Sequence, residues 1–121
     1  MNKNEIESRY EISKPNYGDG YNVSLKLSSD TLLVGLISNK EDAAKRIEQI
    51  RQFGSSERNF YVFEMEDEDS FYFKLSASDK LYRDDILAGS DMLDSRSDLE
   101  SLIKKVMRES KTTSVVDITE V

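Results

Sequence analysis

At 121 residues, with 37% hydrophobic and 34% charged side chains, the chain has room for one hydrophobic core and is too rich in aliphatic and aromatic residues to stay disordered. A formal net charge of -7 argues against a phosphate-backbone ligand, because such binding draws most of its affinity from Lys and Arg. The absence of Cys and His removes disulfides, thiolate chemistry, imidazole acid–base catalysis and the commonest zinc ligands together.

Ile6, Tyr10 and Ile12 alternate with Glu7, Arg9 and Glu11, the period of two expected of a strand with one buried face. The turn formers from Lys14 to Gly20 predict a hairpin. Tyr21, Val23, Leu25 and Leu27 then face one way and Asn22, Ser24, Lys26 and Ser28 the other. Ser28-Ser29-Asp30 leads into a third strand, Thr31 to Ile37, apolar on both faces except at Gly35 and so expected to be more buried. The period becomes helical over Ala43, Ala44, Ile47, Ile50 and Arg51, with Asn39 as the expected N-cap, Asp42 in the first turn and Gly54 as the stop.

Arg58 to Glu66 reads as a central aromatic strand, followed by the acidic turn Glu66-Asp67-Glu68-Asp69. Phe71, Phe73 and Leu75 alternate with Tyr72 and Lys74, Ser76 to Asp79 turns, and Leu81 to Leu87 predicts another strand. Ser95 caps a helix with Leu99, Leu102, Ile103 and Val106 on its inner side, and Ser114 to Val121 supplies a last strand.

The order recurs as well as the periodicity. Val23 to Asp30 aligns with Phe71 to Asp79, and the helices align from Asp42 onto Asp98, so each half reads strand, strand, strand, helix, strand. The expectation is one domain over residues 1–121, made of repeats at about 5–57 and about 58–121 that share the 58–66 strand. The second repeat carries extra residues around Arg83 to Asp91, read as a longer loop. The fold class is α+β, a single antiparallel sheet with two helices on one face.

Gly20-Tyr21-Asn22-Val23-Ser24-Leu25-Lys26-Leu27 and Ser70-Phe71-Tyr72-Phe73-Lys74-Leu75-Ser76-Ala77, each followed by a helix like the one that Ser38 to Ala44 opens, resemble the tandem repeats of the YegP-like family. That family is uncharacterised. The resemblance implies two β3-α-β motifs in one antiparallel sheet, with the last strand of each motif swapped onto the other, and it implies no catalytic residues.

The acidic run Glu66, Asp67, Glu68 and Asp69 lacks the alternating ligands, central Gly and distal Glu of a calcium loop, so it is read as a solvated turn and not a metal site. No Gly-rich phosphate loop and no Gly-x-Ser-x-Gly elbow is present, and neither an enzyme nor a cofactor is expected. Placing the hairpin tip at Asp67-Glu68 pairs Glu64 with Phe71, Val62 with Phe73 and Phe60 with Leu75. Those residues then face the helices, and Tyr61, Phe63, Met65 and Tyr72 share the open side beside the acidic rim. An exposed aromatic cluster with such a rim has the composition of an interaction patch.

The functional expectation is a small non-enzymatic domain that binds a protein partner through Tyr61, Phe63, Met65 and Tyr72, with no direct nucleic-acid or membrane contact. The alternative is an acidic decoy, a nucleic-acid mimic that occupies the basic surface of a nucleic-acid-binding protein. A monomer is expected, because tandem copies supply each other's missing surface. A cytoplasmic location is expected from a start, Met1 to Ile6, without a signal-like apolar run and from a longest apolar stretch, Leu32 to Ile37, too short to cross a bilayer.

Overall fold

The computed structural model describes residues 8–78 and 81–119. Strand β1 (Ser8–Ser13) forms a hairpin with β2 (Tyr21–Leu27), which pairs on its far side with β3 (Asp30–Ile37). Helix α1 (Ala43–Phe53) follows, then the hairpin of β4 (Phe60–Met65) and β5 (Ser70–Ser76), the short β6 (Ile86–Gly89), helix α2 (Arg96–Glu109) and β7 (Val115–Asp117). The strands form one seven-stranded sheet in the order β4-β5-β6-β3-β2-β1-β7. Ile6, Asp79 and the last two residues of the expected final strand lie outside the described residues.

The alternation in β1 and β2 holds: Tyr10 lies opposite Leu25 and Ile12 opposite Val23, and all four are buried. Phe73 and Leu75 of β5 enter the same core, as do Ala43, Ile47 and Ile50 of α1 and Leu99, Ile103 and Val106 of α2. Both helices thus cover the face that carries the apolar positions of the strands. Ser95 Oγ accepts from the amide N–H of Asp98 at 3.0 Å, the cap expected from the sequence. Asn39 makes no side-chain cap; it precedes a 3₁₀ turn, Lys40–Asp42, and α1 begins one turn later than its spacing suggests. Ala44 is correspondingly exposed, and Ala43 takes the inward position.

Two expectations about the sheet are corrected. It is not wholly antiparallel, since β7 runs parallel to β1 in the register Tyr10 to Val115 and Ile12 to Asp117. A strand that arrives through a helix is free of the hairpin geometry that imposes antiparallel pairing, and β1 offers the open edge that receives it. Nor is the 83–91 segment a loop: after a 3₁₀ turn, Arg83–Asp85, it enters the sheet as β6, between β5 and β3 at the centre. Asp85 sets this start, because its carbonyl accepts from the Ala77 N–H at 2.8 Å and its carboxylate from the Ser78 hydroxyl at 2.7 Å. Strand pairing therefore begins at Ile86 and not at Leu81.

β3 is also less uniformly buried than its composition suggests. Leu33 and Ile37 point into the core, whereas Leu36, on the opposite side, is 68% exposed. The helices cover only one side of the sheet, so an apolar residue on the other side has nothing to pack under.

Candidate functional site

The register of the β4–β5 hairpin is the one expected: Phe60 opposite Leu75, Val62 opposite Phe73 and Glu64 opposite Phe71. Phe60 packs edge-on against Phe73, with ring centroids 5.4 Å apart. Val62 shares that face but is exposed, as is Glu64, so the helices do not cover the outer end of β4. The expected inward role of Val62 gives way to an edge position.

Tyr61, Phe63, Met65 and Tyr72 fall together on the open side. Phe63 and Tyr72 stack at 4.9 Å and 13° between planes, and the Lys74 ammonium stands 5.6 Å from the Phe63 ring centroid. Tyr61 donates its hydroxyl hydrogen to the Ser78 carbonyl at 3.2 Å, and Met65 is exposed. Residues 90–93 do not lie across this cluster. They run beside β5 in the plane of the sheet, where Phe71 and Leu93 exchange backbone hydrogen bonds of 2.9 and 2.7 Å. Glu66, Asp67 and Glu68 form a 3₁₀ turn, Asp69 takes a left-handed conformation with φ of 50°, and all four are exposed.

On the open side of β1 and β2 the corresponding positions are ionic. Arg9 lies opposite Lys26, and Glu11 meets both, at 3.0 Å from the Arg9 guanidinium and 3.7 Å from the Lys26 ammonium. One sheet thus carries an aromatic half and a charged half on the same side. The fold does not require aromatic residues there.

Sequence reasoning did not single out the seam between β3 and β6. Their register pairs Val34 with Gly89. Beyond that pair a side chain bridges the two strands: Nη1 of Arg46, from α1, donates to the Leu36 carbonyl at 3.1 Å and the Leu87 carbonyl at 2.8 Å. Burial lowers the pKa of Arg46, partly offset by the nearby Asp42 carboxylate. A cleft of about 640 Å³ opens beside it. Only the isolated Gly35 in β3 hinted at this close approach. Among the described residues no group of three or more acidic side chains is arranged to hold a metal ion, and no helix is long and apolar enough to cross a membrane.

A single mixed sheet backed by two helices defines an α+β protein, the class expected from the sequence. No family model matches the sequence, and no curated protein does. Among solved structures the chain is similar to UPF0339 protein SO3888 from Shewanella oneidensis, with a TM-score of 0.77 and 26% identity over 92% of this chain and 91% of that one. It is also similar to YegP from E. coli, a protein of unknown function, with a TM-score of 0.77 and 23% identity over 91% of each chain. These likenesses in fold agree with the resemblance to the YegP-like family read from the sequence.

Proposed function

We propose that the chain is a non-enzymatic interaction domain whose partner is a protein, held by Tyr61, Phe63, Met65 and Tyr72 on the open side of the sheet. The observation that carries this reading is the stacked Phe63–Tyr72 pair, left half-exposed where the other half of the same side is ionic. Flat aromatic pairs offer large contact area at small entropic cost, and the acidic turn beside them suits a partner with basic residues around an apolar centre. The mirrored strand order about the β3–β6 seam supports a companion reading: two β3-α-β repeats, the second lending its last strand to the first.

The acidic-decoy reading rests on a separate observation: among the described residues, Glu66, Asp67, Glu68 and Asp69 are exposed and form no salt bridge. The two readings divide on mutation and salt. Phe63→Ala should cost only about 1 kcal/mol of stability, the worth of one aromatic pair, while abolishing capture of the partner by immobilised protein. Neutralising the four acids should weaken capture modestly. If instead the acids dominate, capture collapses between low and high salt, and Phe63→Ala binds normally, the decoy reading holds.

A further inference from the structure

The cleft at the β3–β6 seam combines a trough, an anchored cation and apolar walls. Across the open side one row of the sheet runs Ser24, Val34, Gly89, Lys74, Tyr61. Gly89 has no side chain, so the row is interrupted between Val34 and Lys74, and the interruption is the floor of the cleft. Val34, Leu36 and Ile86 form apolar walls, and Arg46, Lys74 and Asp84 bring charge to the rim. Leu36 is 68% exposed here, an apolar side chain facing solvent beside a hollow.

Among the described residues neither cation in this cleft forms a salt bridge. Arg46 is half-buried and donates through Nη1 alone, with no salt bridge among the described residues. The two carbonyl bonds fix the guanidinium and use only Nη1, and Asp42 lies near it without forming a salt bridge, so its remaining N–H groups can address a ligand in a fixed orientation. Lys74 likewise contacts only the Phe63 ring among the described residues. A desolvated guanidinium calls for a planar oxyanion, since the fork of N–H donors matches a carboxylate.

The rest of the cleft narrows the choice between oxyanions. Asp84 at the rim and Asp42 near Arg46 together balance the two positive charges, and the chain as a whole carries -7, so a phosphate dianion is disfavoured more strongly than a monoanion. The apolar walls ask for a hydrocarbon body. Clefts of a few hundred cubic ångströms are of the size that small molecules fill.

We propose that the β3–β6 cleft binds a small organic acid, its carboxylate on Arg46 with Lys74 alongside and its apolar body against Val34, Leu36 and Ile86. The site adjoins the Phe63–Tyr72 patch through Lys74, whose ammonium stands 5.6 Å from the Phe63 ring, and uses none of the four patch residues. The test is an amide-detected NMR titration of the full ¹⁵N-labelled chain with hexanoate, with hexanamide and with inorganic phosphate in parallel. Hexanoate should give saturable shifts at Leu36, Lys74, Ile86 and Gly89, and hexanamide and phosphate should bind at least about tenfold more weakly, the worth of a charge-assisted contact.

Arg46→Gln should weaken hexanoate by at least about the same factor. Leu36→Asp, at an exposed position, keeps the fold whether or not Arg46→Gln does, and should weaken it comparably. Shifts that do not saturate, an equal response to hexanamide, tighter binding of phosphate, or undiminished binding to Leu36→Asp would each overturn the proposal.

Discussion

Gly35 stands where the two central strands press closest. A Cβ built there would lie 2.3 Å from the Leu87 carbonyl oxygen, a backbone atom held by Arg46 and unable to swing away. Gly35→Ala should therefore cost about 3 kcal/mol by forcing β3 and β6 apart, read as a lower denaturation midpoint in urea. A loss below about 0.5 kcal/mol would show the seam to be looser than drawn. Tyr10 is a second such position: its buried hydroxyl donates to the Ser110 carbonyl at 2.6 Å, joining β1 to the end of α2. Burial pushes its phenol well above the ordinary range, the nearby Arg51 pulling the other way and Glu48 adding to the rise. The neutral form is the one the fold holds, so its contribution is full below the ordinary phenol pKa and is lost as pH rises beyond it. Tyr10→Phe should cost about 2 kcal/mol, because the Ser110 carbonyl is left buried without that donor.

At the scale of elements, β7 is short and half-exposed, and its hold on the sheet comes from polar anchors as well as from its three paired positions. The Ser114 carbonyl accepts from the Tyr10 N–H at 2.8 Å, the Ile118 N–H donates to the Ile12 carbonyl at 3.0 Å, and Asp117 meets Lys40 at 2.8 Å. Lys40 and the Thr119 hydroxyl and amide lower the Asp117 carboxyl to about 2, against an ordinary 3.8. A depressed carboxyl stabilises the fold above its unfolded value, so the β7 tether should be intact above about pH 4 and released as pH falls toward 2. Amide shifts of Val115, Val116 and Asp117 followed through that range should show one transition. Lys40→Met should move its midpoint up toward the ordinary value; a midpoint that stays put would remove Lys40 from the account.

The β4–β5 hairpin was legible in the sequence down to its pairs, because a one-residue slip would have turned Phe71, Phe73 and Leu75 out of the core. The Ser95 cap was legible for a comparable reason, a local hydrogen bond between residues three apart. The Tyr61, Phe63, Met65 and Tyr72 cluster followed from the same alternation. Local spacing says nothing, however, about what an element meets. It could not show that Val62 lies past the end of the helix cover, that Leu36 lines a hollow, or that Arg46 reaches across from a helix to two strand carbonyls.

For the molecule as a whole, the order of strands and helices read from the chain was enough to specify an α+β sheet backed by two helices, since the strand period of about two residues and the helix period of about 3.6 space apolar residues differently. It also placed Tyr61, Phe63 and Tyr72 on the side of the sheet away from the helices. Only the tertiary structure decided that β6 sits at the centre of the sheet, that β7 joins it in parallel, and that the seam between β3 and β6 is closed by Arg46 beside a cleft. These depend on which edges remain open once the hairpins have formed, and on contacts between residues 100 or more positions apart, as in the bond from Tyr10 to Ser110. Nothing in a local window of sequence carries that information.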